Sequence, residues 1–289
     1  MRFLALAVLL FSFQATAEIR VKDDYGNEVR LAAPAARIVS LSPHFSELLY
    51  AAGAGGRLVG AVEFSDYPAE ARALPRVGSD AGIDLEAVIA LQPDLVVAWP
   101  NAGSLRAVNR LADLRLPVFR SEPRELEDIP RTLQRLGALA GSEKDAERAA
   151  AAFRARVREL GRRYSKRPTV RVFYQVWDRP LLTVNGEHVI SKVMRLCGGE
   201  NVFARLPMIA PEIDREAVLR ADPQVIVASG SDDQRPAWLD AWKAFPGLNA
   251  AAKGNLYAIA PELIQRHTPR LLEGAERLCG ILDEVRARS

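Results

Sequence analysis

His44, His188 and His267 are the chain's only histidines, and Cys197 and Cys279 its only cysteines. Metal sites draw on such groups at short spacing, and no His-x-x-x-His or Cys-x-x-Cys pair occurs. A serine hydrolase carries its nucleophile on a Gly-x-Ser-x-Gly turn, whereas Ser42 sits in Ser40-Leu41-Ser42-Pro43-His44. The residues therefore point away from an enzyme. Phe45, Phe64, Trp99 and Trp177 carry a different chemistry, because each lies on a loop or strand end where a ring stacks on a large flat ligand at low entropic cost. Asp66, Asp178, Arg179, Glu262 and Arg266 stand in similar segments, and the planar forks of Arg179 and Arg266 suit a carboxylate or phosphate. Each has a plainer reading: Trp99 as core at the end of an apolar strand, the charged residues as solvated surface. A zinc or manganese site built from His44, Asp66 and Glu262 is the sharper alternative, against His44 as an ordinary loop histidine.

The elements that must position these residues are announced by a repeat. Asp84 to Trp99 aligns without gaps on Asp214 to Ser229 at an offset of 130, with seven of 16 positions identical. Each copy has an Asp N-cap, a short helix carrying Glu86 or Glu216, a proline stop, and an apolar run typical of a buried parallel strand. Arg37 to Leu41 reads as a further strand, followed by a loop and a helix capped by Ser46. Val170 to Tyr174 repeats the idea, with a helix from His188 to Leu196 ended by Gly198-Gly199. Between the copies, Ser142-Glu143-Lys144-Asp145 opens a stretch in which Phe153, Val157, Leu160 and Tyr164 line one helical face. The expectation is an α/β protein of two Rossmann-like lobes joined by a single long helix, with a ligand cleft between them. The divisions are 18–36 as a lead-in segment, 37–138 as the first lobe, 139–167 as the interlobe helix and 168–289 as the second lobe. In such sheets ligands lie beyond the carboxyl ends of the strands. Trp238 and Trp242 read as packing within the second lobe.

Residues 1–17 place one arginine before a short apolar run ending in Ala15-Thr16-Ala17, the pattern of a cleavable signal peptide. No cysteine follows to carry a lipid, so a soluble periplasmic product of 272 residues is expected. In that oxidising compartment Cys197 and Cys279 are expected to form a disulfide, with two separate buried thiols as the alternative. Charge is near balance, 39 basic against 36 acidic residues without basic stripes, which excludes nucleic acid as a partner.

Arg37-Ile38-Val39-Ser40-Leu41-Ser42-Pro43, Phe64-Ser65-Asp66-Tyr67-Pro68, Leu91-Gln92-Pro93-Asp94-Leu95-Val96 and Cys197-Gly198-Gly199-Glu200-Asn201-Val202-Phe203 together resemble a known family. It is the helical-backbone class of periplasmic binding proteins for vitamin B12, ferric siderophores and haem, and the set is most similar to its corrinoid carriers. The resemblance implies a monomer that binds cobalamin or a related corrinoid, needs no resident cofactor, and hands its ligand to the membrane subunits of an ABC importer. Ferric siderophore or haem is the alternative cargo, because three positions that are aromatic in the corrinoid carriers are Asp80, Ala210 and Leu263 here. The resemblance also implies that Glu86 and Glu216 dock onto importer arginines. Taken alone, each glutamate is explained by its place in a first helical turn, favoured by about 0.3 to 1 kcal/mol.

Overall fold

The computed structural model describes residues 18–79, 81–101, 103–230 and 235–288, so the expected signal segment and Asp80 lie outside the described residues. The lead-in segment is a hairpin of Ile19–Lys22 (β1) and Glu28–Leu31 (β2), whose Val29 and Leu31 are buried. The first lobe then runs through Ile38–Ser40 (β3), Pro43–Ala51 (α1) and Leu58–Ala61 (β4) to the small hairpin of Gly78–Ser79 (β5) and Gly82–Ile83 (β6). It continues with Leu85–Ala90 (α2), Leu95–Ala98 (β7), Leu105–Asp113 (α3), Val118–Arg120 (β8) and Asp128–Ala140 (α4). After Glu143–Tyr164 (α5), the second lobe comprises Val170–Gln175 (β9), Val189–Leu196 (α6), Gly199–Asn201 (β10), Arg215–Ala221 (α7) and Val225–Ser229 (β11). Following a 3-10 segment at Ala237–Ala244, it closes with Asn249–Ala252 (α8), Leu256–Ile259 (β12), Pro261–Ile264 (α9) and Leu271–Ala287 (α10).

Two parallel four-stranded sheets result, ordered β4-β3-β7-β8 and β10-β9-β11-β12. In both, the first strand of the lobe lies between the second and third, so strand order reverses there and a crevice opens beyond the carboxyl ends. The central strands pair in register, Val39 with Val96 and Phe173 with Ile226. They are apolar on both sides because helices cover both faces. The repeat persists in atomic detail. The carboxylates of Asp84 and Asp214 accept hydrogen bonds from the Ala87 and Ala217 amides at 2.9 and 2.6 Å, supplying the partners that first-turn donors lack. Gln92 and Asp222, 130 residues apart, both take a left-handed backbone, with φ of 46° and 38°, just before the proline that ends each helix. Arg37 and Arg171 then cap the last turns of α2 and α7 by donating to the Leu91 and Ala221 carbonyls.

The 22-residue α5 is about 33 Å long at 1.5 Å per residue and carries the chain from one lobe to the other. Phe153, Leu160 and Tyr164 are buried along its inner face, and the cluster they join runs from Leu48 and Leu136 in the first lobe to Val172, Ile190 and Leu278 in the second. Gly137 lets α4 approach, since a Cβ there would lie 2.3 Å from that of Ala146. Two local expectations differ. α1 begins at Pro43 rather than after Ser46, because a proline at the first helical position loses no hydrogen bond; Ser46 is buried inside the helix. Ser142 precedes α5, yet its hydroxyl accepts no capping bond.

Candidate functional site

The carboxyl ends of β3, β4, β7, β9 and β12 lead into the loops that hold nearly all the residues singled out from sequence. Phe64 and Trp177, on opposite lobes, are the most exposed of the four aromatics, at 65% and 57%. Phe64 reaches its position through a left-handed backbone, φ 61°, which is uncommon for a bulky residue and marks an imposed conformation. Trp99 is half-buried: it packs on the shared core, and Ser104 donates to its carbonyl at 2.7 Å. Its contact with the core and its place at the end of β7 make it both support and wall.

Phe45 differs from the expectation. Its ring is fully buried in the first-lobe core, 4.2 Å from the His44 ring, so it supports the cleft from beneath and offers no stacking face. The reason is the earlier start of α1, which turns Phe45 inward with Leu48 and Leu49. His44 lies above it, its Nδ1 2.5 Å from the Ser42 hydroxyl, its ring 5.8 Å from Trp99 and 6.2 Å from His267 of the second lobe. Burial holds His44 well below the usual imidazole range, and so do the disfavoured joint protonation with His267 and the positive charge of Arg266. His267 is likewise pushed down to about 4 by burial, Asp128 opposing, and His188 to about 4 by burial and His267.

The polar candidates divide. Arg179 is 87% exposed, and among the described residues its one ion-pair partner is Asp178, 3.3 Å from Nε. Asp178 is mostly buried and also faces Arg215 at 3.8 Å, which makes it a brace for the Trp177 loop. Glu262, in the first turn of α9, has no ion-pair partner among the described residues. Arg266 departs from the expectation of a free guanidinium: it donates to Glu47 at 2.7 Å, to Asp66 at 3.2 Å and to the Phe64 carbonyl at 3.1 Å. That engagement also holds Asp66, so His44, Asp66 and Glu262 are not assembled as a metal triad among the described residues.

Sequence reasoning missed Glu47, a buried carboxylate whose only hint was its place one turn after His44. It also missed Met208 and Ile209, exposed apolar residues in a loop flanked by Pro207 and Pro211. Ala210, beside them, is exposed, and Leu263 is half-buried in α9. Trp242 packs within the second lobe as expected, its ring 5.9 Å from Phe173, and donates to Gln175 at 2.8 Å. Glu86 and Glu216 occupy equivalent exposed positions in the first turns of α2 and α7, and neither makes an ion pair with a described residue. Cys197, at the end of α6, and Cys279, in α10, are joined by a disulfide with a Cα separation of 4.8 Å, buried in the second lobe.

A family model described as periplasmic binding protein matches residues 38–263. A vitamin B12-binding protein of Vibrio parahaemolyticus is 36% identical over 258 residues, 88% of this chain and 92% of that protein. The crystal structure of the periplasmic vitamin B12 binding protein BtuF of Vibrio cholerae superposes with a TM-score of 0.80 at 34% identity, covering 88% of this chain and 98% of its own. A periplasmic heme binding protein from Pseudomonas aeruginosa matches with a TM-score of 0.72 at 26% identity, covering 85% and 92%.

Proposed function

We propose, for a chain that belongs to the periplasmic binding protein family, that it captures vitamin B12 or a related corrinoid in the periplasm and delivers it to the membrane subunits of an ABC importer. In this reading it is no enzyme and acts as a monomer, exported by a signal peptide at 1–17. Its lobes are 37–138 and 168–289, about a connecting segment at 139–167. What carries the reading is that the 36% identity with a vitamin B12-binding protein extends over 88% of the chain, so both walls of the cleft share that ancestry. The geometry supports it: exposed rings on opposite lobes suit a broad planar ligand, and burying two such faces offers more than their solvated state.

Phe64, Trp99 and Trp177 are assigned the stacking surface, Arg179 and Glu262 the polar edge, and Phe45 the support beneath. Arg266, together with Asp66, borders the cleft through its contact with Glu47. Glu86 and Glu216 are assigned to docking, since two carboxylates on equivalent exposed turns, without ion-pair partners among the described residues, suit a partner with two like, positively charged subunits. Haem or a ferric siderophore is the second reading, favoured by Ala210 and Leu263, which present no ring. Thermal unfolding of the purified mature protein with cyanocobalamin, haemin or a ferric hydroxamate separates these, because ligand at 100 times its dissociation constant stabilises by about 2.7 kcal/mol. Cyanocobalamin alone is expected to raise the midpoint. A shift with haemin or the hydroxamate and none with cyanocobalamin would transfer the cargo to the second reading.

A further inference from the structure

Glu47 is a carboxylate with 2% side-chain exposure, and charge is seldom left so deep without partners. Its partners come from the other lobe. Arg266 Nη1 donates to Oε1 at 2.7 Å, and Arg270 Nε lies 3.4 Å from Oε2. Both arginines belong to the segment between α9 and α10, while Glu47 belongs to α1. Each also holds a second group on the first lobe. Arg266 reaches Asp66 and the Phe64 carbonyl, and the Arg270 guanidinium lies over the Tyr67 ring, 4.0 Å from its centroid. Glu47, Phe64, Asp66 and Tyr67 are thus gathered by two side chains of the opposite lobe. On the α5 side of this cluster lies a cavity of about 500 Å³, lined by Glu47, Tyr67 and Arg270 together with Tyr50, Phe153 and Leu272, so the polar cluster borders open space at this edge and supplements the apolar core that the lobes share.

We propose that Glu47 is the positioning residue of an interlobe tether, which sets the width of the cleft by holding Arg266 and Arg270 and, through Arg266, the Phe64 loop. Two features favour a tether over a locally neutralised charge. The ion pairs cross between lobes, and Arg266 contacts the backbone of the residue whose ring is assigned to the ligand. Burial pushes the Glu47 carboxyl up while the two arginines pull it down, so its charge depends on their staying in place. When the lobes part, the carboxylate loses its donors, and this raises the cost of opening at this edge. A ligand-competent width held in the free protein lowers the dissociation constant, because the dissociation constant seen is the intrinsic one divided by the competent fraction.

The tether is read without ligand. Nitroxide labels at Arg106→Cys and Arg220→Cys, on exposed helical positions of the two lobes and with the native disulfide intact, report the interlobe distance by pulsed electron spin resonance. The parent should give one narrow distribution. Glu47→Gln should broaden it and move it to longer distance, Glu47→Asp should recover part of the change, and Arg266→Met should reproduce it from the other lobe. Glu47→Gln combined with Arg266→Met should move it little further than either alone. Should Glu47→Gln not fold, Arg266→Met decides the matter. Folded variants whose distributions superpose on the parent's would overturn the tether and leave Glu47 a structural charge. A second readout rests on the proposed function: the cyanocobalamin dissociation constant of Glu47→Gln should rise about tenfold if the competent fraction falls from near one to about a tenth. Failure of the parent to bind cyanocobalamin would remove that function, and the distance measurement would still decide the tether.

Discussion

The three histidines show how burial sets a residue's chemistry. His44 faces Ser42, His267 and Arg266; His267 faces His44 and Asp128; His188 faces His267. All three are held neutral in the folded protein. A histidine whose folded pKa lies below its unfolded value near 6.5 binds fewer protons when folded, so its stabilising contribution is complete above pH 6.5 and is lost as pH falls towards about 4. For His188 and His267, both partly open to solvent, the loss should be roughly 1 to 2 kcal/mol each by pH 5. Urea unfolding at pH 7, 6 and 5 should show stability falling across that window, and His188→Gln with His267→Gln should flatten the fall. A flat parent profile would mean these rings protonate without penalty. Asp128 does not contribute in this window: although burial raises it, amide donors and Arg131 hold it below 3.8.

At the scale of elements, α10 is bound to the second lobe by both packing and a covalent link. Its Leu278, Leu282 and Val285 are buried, and Cys279 ties it to α6 across 82 residues of sequence. In the chain-entropy account a loop of that length restricts the unfolded chain by about 4 to 5 kcal/mol. Cys197→Ala with Cys279→Ala should lower unfolding stability by up to that amount, while circular dichroism keeps its helical and strand signals, because each sheet retains its own apolar strands. Loss of the folded baseline in the double variant would mean that α10 has no stable position without the bridge. The link matters to the cleft because α10 begins directly after Arg270, so anchoring its body fixes the segment that reaches Glu47.

At the scale of the molecule, the shared core along α5 and the polar closure at Glu47 both oppose wide opening, and a single helix is a poor hinge. Docking would therefore engage two lobes at a nearly constant separation, a geometry in which two weak contacts reinforce one another. Glu86→Lys with Glu216→Lys should abolish most cobalamin uptake in cells lacking their own binding protein, each single change costing less, while the purified variants keep ligand affinity. Normal uptake by the folded double variant would return both glutamates to the plainer role of favouring a helix N-terminus, worth no more than about 1 kcal/mol each. Lost affinity would instead place them in the cleft.

The sequence by itself determined the two-lobe α/β plan, since the repeat at offset 130 encodes local events: an Asp cap, a helix stop at proline and a doubly buried strand. It also placed Phe64, Trp99 and Trp177 at strand ends, because strand periodicity and turn residues are short-range signals. The hairpin of β1 and β2 was within reach too, for Asp24-Tyr25-Gly26-Asn27 stands between two alternating runs. Burial and cross-lobe partnership were not legible. Whether Phe45 points to the cleft or the core turns on where α1 begins. Whether Arg266 is free depends on Glu47, 219 residues away. No local pattern records such a pairing, since a buried ion pair is specified only when packing removes water from both partners at once.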